Sequence, residues 1–262
     1  MKFATLLFDI TAGVATITLN RPEAANAMSP LMAKEFSQAA LLCDDNPDIR
    51  AVLIASTGRM FCAGGDLGAF AAAGDGARHL LMEMASDLHV GLSRLARSRA
   101  PVIAAVNGTA AGAGFSLVMA CDLAVAAERA VFTMAYTRAG LSPDGSSTYY
   151  MPRKIGDRRT RELMLTNRVL SAAEALDWGV VNQVVADDQV AATAGALARQ
   201  LAEGPTLAFA AVKRLLNGTF EQGLESQMEL EGRAIADLSI SADGREGIDA
   251  FLSKRKPGFK GR

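Results

Sequence analysis

Residues 102–126, VIAAVNGTAAGAGFSLVMACDLAVA, decide how the chain folds. A short apolar run, a turn of small residues, an apolar helical pattern and a second apolar run follow without pause, which reads as strand, tight loop, buried helix and strand. The first run, 102–106, is too short to span a membrane and too rich in β-branched residues for a surface helix. Asn107-Gly108, the strongest turn dipeptide, ends it at about Val106. Behind the turn, Gly112, Ala113 and Gly114 carry nothing larger than a methyl group, and Leu117, Val118 and Met119 follow on a core-facing helix. The first N–H groups of a helix lack intrahelical partners, and with the helix dipole they favour an anion or a developing negative charge. Small residues let a ligand reach them, although the same glycines would serve close packing or a positive φ.

Two other readings of this stretch fail on single positions. A dinucleotide fingerprint needs a third small residue three places after Gly114, where the chain has Leu117. A nucleophile elbow around Ser116 lacks the closing glycine, because Gly114-Phe115-Ser116-Leu117-Val118 ends in valine.

The chain has 262 residues, half of them hydrophobic, enough to bury a sizeable core and to exclude a disordered protein. Lys and Arg number 27 against 28 acidic residues, so no basic excess is available to neutralise a phosphate backbone, and nucleic acid is not expected as a partner. The N-terminal MKFATLLFDI has a short apolar run without a cleavage site, and no stretch of about 18 apolar residues follows. A soluble cytoplasmic protein, not a membrane one, is the expectation. Cys43, Cys62 and Cys121 lack metal-ligand spacing and read as reduced core residues, so no metal is expected. His79 and His89 lie ten residues apart in a helical run with no Ser or Cys elbow nearby, and read as ordinary helix residues.

Taken in order, 5–10 and 14–19 flank Thr11-Ala12-Gly13 as a hairpin. Ser29-Pro30 is an N-cap with proline at the first helical position, opening a helix to about Cys43. Residues 51–56 form a buried strand that leads into TGRMFCAGGDL, a second loop whose adjacent Gly64 and Gly65 either turn N–H groups toward a ligand or merely form a flexible turn. A long helix over 77–97 leads to the central strand. Residues 130–134 read as a short strand and 180–185 as the last one. Pro143-Asp144-Gly145 is a turn ahead of a helix near Ser147, which Asp144 would be placed to cap. From about 190 the pattern is helical alone, giving an α/β core, 1–190, and a C-terminal helical region, 191–262.

The two glycine loops, together with LNRPEAANAM, FCAGGDL, AVNGTAAGAGFSLVMACDLAVA, AGLSPDGSSTYYMPRKIG, LSAAEALDWGVVNQVV and FLSKRKPGFKGR, resemble the crotonase, or enoyl-CoA hydratase/isomerase, superfamily over the whole length. The resemblance implies a crotonase-like spiral of ββα units, with C-terminal helices that pack between subunits of a homotrimer or hexamer. It implies an acyl-CoA thioester as substrate, with no cofactor beyond the coenzyme A that the substrate carries. It also implies that backbone N–H groups at Gly65 and Ala113 hold the thioester oxygen; such preorganised donors are worth about 3–4 kcal/mol each in the transition state. Glu23, Ala24 and Asn26, with Ala63, Gly65, Asp66, Leu67 and Gly68, match positions that line the coenzyme A portion. Phe251 and Lys254 match residues that reach a neighbouring subunit's coenzyme A; a solvated basic tail is the alternative for Lys254.

Departures from the family pattern point to the chemistry. Hydratases of this family use two glutamates, and the matching positions here are Ser116 and Tyr136, neither of them a base near neutral pH. Asp144 is the carboxylate that remains, in a segment resembling that of the Δ3,Δ2-enoyl-CoA isomerases and the phenylacetate-pathway ring-opening isomerases, where an acidic residue moves the proton. A 1,3-shift needs one base, which removes a proton from C2 and returns it at C4. The expectation is therefore an isomerase acting through a thioester enolate, with hydration of a 2-enoyl-CoA, or acyl-CoA binding without chemistry, as alternatives.

Overall fold

The structure is a computed structural model and describes residues 2–262. Its strands are β1 (Leu6–Thr11), β2 (Val14–Leu19), β3 (Ala51–Ser56), β4 (Val102–Val106), β5 (Ala110–Ala111), β6 (Leu123–Ala127), β7 (Val131–Thr133), β8 (Leu170–Ser171) and β9 (Gln183–Val185). Six of them form one sheet in the order β1-β2-β3-β4-β6-β9, parallel except for the β1–β2 hairpin, whose turn residues Ala12 and Gly13 both have positive φ. A smaller sheet runs β5-β7-β8, and a single parallel bridge between Cys62 and Ala110 extends it toward the loop after β3. Each turn of chain thus lays one strand in the large sheet and a short one in the small sheet. Repetition of that step builds the α/β spiral.

The helices are α1 (Pro30–Asp45), α2 (Leu67–Ala72), α3 (Ala77–Arg97), α4 (Ala113–Ala120), α5 (Ser147–Ile155), α6 (Asp157–Thr166), α7 (Ala172–Trp178), α8 (Val190–Ala202), α9 (Thr206–Gly218), α10 (Leu224–Ser239) and α11 (Ala242–Leu252). Ser29 caps α1 as expected, its hydroxyl accepting from Met32 N–H. β4 is buried along its whole length, as a parallel strand covered on both faces must be. One cover is α8, whose Ala194 and Ala198 are fully buried against β3, β4 and β6, so the first helix after residue 189 shares the layer of the sheet. All three cysteines are buried; burial pushes the Cys62 thiol up to about 11 and those of Cys43 and Cys121 to about 12, which leaves them inert packing groups.

Some elements differ from the sequence pattern. The last strand is shorter than 180–185: Val180 and Val181 are buried in a turn, and pairing with β6 begins at Gln183. Apolar content marked their burial there, not their extended conformation. The short β5 and β8 gave no periodic signal because two residues carry no period. Gly108 is not required for a left-handed turn; a Cβ at this position would lie 2.0 Å from the Arg59 carbonyl oxygen, so close approach of two backbones demands the glycine.

Among the described residues, no helix is long and apolar enough to cross a membrane.

Candidate active site

The loop after β3 and the N-terminus of α4 are pressed together. Gly64 has φ +102, and a Cβ there would stand 3.1 Å from the Ala111 carbonyl oxygen; Gly112 has φ +49 and faces Gly64 in return. A Cβ on Gly114 would lie 2.5 Å from the Cys62 carbonyl oxygen. Close packing and positive φ, the plainer readings of these glycines, are both correct, and they are also what brings the loops to one cavity.

Hydrogen bonding sets the direction of the two candidate donors. Met28 N–H donates to Gly64 O at 2.7 Å, and Asp66 N–H donates to Met28 O at 3.0 Å, a parallel bridge that straddles Gly65. In such a bridge the straddled residue turns its own N–H away from the partner. Gly112 N–H is taken by Thr133 O, and the first bond of α4 runs from Ser116 N–H to Gly112 O. Ala113 is therefore the first residue of a helix, with an N–H that the helix does not use. Gly65, Ala113, Tyr136 and Asp144 all line one cavity of 380 Å³. Its apolar wall comes from Leu67 and Phe70 of α2 and from Leu81, Met82, Ala85 and Leu88 of α3.

Asp144 does not cap a helix with its side chain. Its carbonyl takes the Ser147 hydroxyl at 2.9 Å, while its carboxylate is turned inward, with Oδ1 accepting from the Tyr136 hydroxyl at 2.7 Å. The N-cap of α5 is Ser146, in a left-handed conformation with no side-chain cap bond. Gly145, at φ +60, keeps this turn against α4, since a Cβ there would be 2.9 Å from Ser116 Cβ. Ser116 Oγ lies 3.0 Å from the Tyr136 hydroxyl. Burial, and then the Asp144 charge beside it, raises the Tyr136 phenol above its ordinary value, so it stays protonated and acts as a donor.

One residue at the site is not what its sequence context suggested. His89, on α3, puts Nε2 3.9 Å from Asp144 Oδ2, and the same nitrogen accepts from Gly145 N–H at 3.1 Å. A histidine in a long amphipathic helix gives no sign of this from its own neighbours, because the partner lies 55 residues on. His79, by contrast, sits beside Glu83 on the exposed side of the helix.

The residues matched to the coenzyme A portion divide. Ala63, Gly65 and Leu67 line the cavity; Glu23, Ala24, Asn26, Asp66, Gly68, Phe251 and Lys254 do not. Asn26 is fully buried, with Oδ1 taking Arg21 N–H and Nδ2 donating to the Thr57 and Met60 carbonyls. Its work is to hold the loop, and the segment presents Met28 to the cavity instead. Asp66 caps α2 through Ala69 N–H and pairs with Arg21 at 3.1 Å. Phe251 is 83% exposed at the end of α11, and Lys254 follows it in a left-handed conformation.

This is a crotonase-type α/β fold with a cavity of about 380 Å³ at its two glycine loops. Residues 9–262 match the enoyl-CoA hydratase/isomerase family. The chain is 40% identical over 262 residues to a "Probable enoyl-CoA hydratase" of Rhodobacter capsulatus, covering all of both chains. It is 39% identical over 258 residues to the 1,2-epoxyphenylacetyl-CoA isomerase of Escherichia coli, covering 98% of each. A crystal structure of an enoyl-CoA hydratase from Polaromonas superimposes with TM-score 0.93 at 35% identity, over 97% of this chain and 99% of that one. The chain belongs to the enoyl-CoA hydratase/isomerase family of acyl-CoA enzymes.

Proposed function

We propose that the chain shifts a double bond in an enoyl-CoA, with Asp144 as the base and the N–H groups of Gly65 and Ala113 as the oxyanion site. The observation that carries this reading is the cavity itself, which gathers one carboxylate with both donors; by resemblance, Ser116 and Tyr136 match the positions of the hydratase glutamates. Asp144 takes the proton from C2 of a 3-enoyl thioester, the negative charge moves to the thioester oxygen between the two N–H groups, and the protonated carboxyl returns the proton at C4. The product is the 2-enoyl thioester, and no water is consumed. Coenzyme A belongs to the substrate, and the proton shift calls for no further group.

The same reading assigns residues of the two loops to the coenzyme A portion, and gives Phe251 and Lys254 to a neighbouring subunit's site in a homotrimer or hexamer. What supports an assembly is α10, which buries Ala234 alone while Leu224, Met228 and Ile235 form an exposed apolar face. Light scattering at micromolar concentration is expected to give at least three times the chain mass; a monomer would refute the assembly. A cytoplasmic location agrees with the three buried thiols.

The test of the reaction is Asp144→Asn, which keeps shape while removing the base. Isomerisation of a 3-enoyl-CoA is expected to fall about 10²- to 10⁴-fold with little change in binding. Parent protein is expected to hydrate crotonyl-CoA poorly. An Asn variant as fast as the parent would dispose of the base, and efficient hydration by the parent would favour a hydratase in which Asp144 activates water.

A further inference from the structure

The positions that hold glutamates in hydratases are not idle in this chain. Tyr136 Oη lies 2.7 Å from Asp144 Oδ1 and 3.0 Å from Ser116 Oγ. An ionised carboxylate can only accept, so the tyrosine proton points to Asp144, and the serine must be the donor in the second contact. Ser116 is fully buried on α4 and shares its proton between Tyr136 and the Gly112 carbonyl, 3.3 Å away. The hydrogen-bond chain is thereby directional, Ser116 to Tyr136 to Asp144. It starts from the same helix whose first residue is Ala113.

The geometry points to Tyr136, backed by Ser116, as the positioning residue of this site: it fixes Oδ1 of Asp144 and leaves Oδ2 as the oxygen that exchanges a proton with the substrate. The inference rests on the reading of Asp144 as the base. A carboxylate on irregular backbone, just ahead of the Gly145-Ser146 turn, rotates about its Cβ–Cγ bond unless one oxygen is tied. Tyr136 ties it from inside the cavity, and Gly145 packed on Ser116 fixes the backbone behind it. Among the described residues, the other ionisable groups around the carboxylate are His89, 3.9 Å from Oδ2; Arg97, Glu221, Tyr149 and Tyr150, which share a second cavity with Asp144; and Arg78, which lines the reaction cavity. Of these, His89 faces the oxygen that Tyr136 leaves free.

The consequence is a paired effect on rate and pH profile. A donor to a carboxylate favours its charged form, and Tyr136→Phe removes that donor. In Tyr136→Phe the acid limb of kcat is expected to move up by about one pH unit. A carboxylate freed in this way loses orientation, so kcat at the plateau is expected to fall about tenfold. KM is expected to change by less than about threefold, because the ring still lines the cavity. Ser116→Ala is expected to move the limb in the same direction by less, and the double variant to resemble Tyr136→Phe, since both act along one chain of bonds.

The experiment is a kcat–pH profile of 3-enoyl-CoA isomerisation for the parent, Tyr136→Phe, Ser116→Ala, the double variant and Asp144→Asn, each checked by thermal unfolding. A dead Asp144→Asn with an upward limb shift in Tyr136→Phe supports the inference. A dead Asp144→Asn with an unmoved limb in Tyr136→Phe, whether or not rate is lost, overturns it and leaves the base in place. An active Asp144→Asn removes the base, and the positioning role falls with it. Should Tyr136→Phe not fold, the limb of Ser116→Ala decides alone: a shift supports the chain of bonds and none overturns it.

Discussion

Gly114→Ala is expected to damage both stability and rate, and the structure gives the size of each. The added Cβ would lie 2.5 Å from the Cys62 carbonyl oxygen, 2.6 Å from Cys62 Cβ and 3.0 Å from its sulfur. Ordinary contact begins at 3.4 Å, so α4 and the loop after β3 must separate by about 0.9 Å, the difference between 3.4 and 2.5. Neither side can yield cheaply: one obstacle is backbone, and Phe115 and Cys62 are fully buried on either side of the contact. Overpacking of this kind costs about 1–3 kcal/mol, against about 0.5–1 kcal/mol gained from alanine in a helix. Net destabilisation of about 1–2 kcal/mol is expected in urea unfolding. The same separation moves Ala113 N–H relative to Gly65 N–H, and a misplacement near 1 Å at a transition-state donor costs about 10²-fold in rate. Gly195→Ala in α8 is the internal control, because a Cβ there meets only the end of the Arg199 side chain, at an ordinary 3.4 Å. It is expected to stabilise by about 0.5–1 kcal/mol without altering kcat. If Gly114→Ala matches the parent in both stability and 3-enoyl-CoA isomerisation, the loops do not depend on this contact and the reasoning is refuted.

Two further outcomes concern the frame. Burial would raise the Glu35 carboxyl, but hydrogen bonds from Ala4 N–H and from the hydroxyl and N–H of Thr5 outweigh it, holding the group below its ordinary value. A depressed folded-state pKa adds stability that is present above the unfolded value near pH 4.5 and is lost as pH falls through the folded one. Glu35→Gln should therefore cost about 1–3 kcal/mol at pH 7 and show a shallower stability loss between pH 5 and pH 3 than the parent in urea titrations, those limits being roughly the range over which an ordinary carboxyl titrates. Lys213 is 7% exposed and joins α9 to the end of α3 and the start of β4: Nζ donates to the Leu95 and Ala100 carbonyls and lies 2.9 Å from Asp122 Oδ2. Lys213→Met should cost about 3–5 kcal/mol by unpairing those groups, and an unchanged midpoint of thermal unfolding would refute it.

Sequence alone determined the succession β4, turn, α4, β6, the span of α3 and the cap of α1. Each of these is written locally, as an apolar run bounded by glycine or proline, a 3.6-residue period, or a serine before a proline. It also determined the family, through motifs spread over the length, and singled out Gly65, Ala113 and Asp144 as residues to consider together. The tertiary structure decided what contact across the chain must decide. Asn26 and Asp66 matched ligand positions by motif, yet their polar atoms are spent on Thr57, Met60 and Arg21, partners that no local pattern names. Asp144 reads as a base by resemblance, with a helix cap as the alternative, and its carboxylate meets the Tyr136 hydroxyl rather than a helix N–H. His89 looked like a plain helix residue and Ser116 stood only as a departure from the family pattern, because the atoms they meet lie 56 and 20 residues further along the chain. A side chain's chemistry is set by its own atoms, but its partner is set by how strands stack and helices cross, and that information resides in packing rather than in any one stretch of sequence.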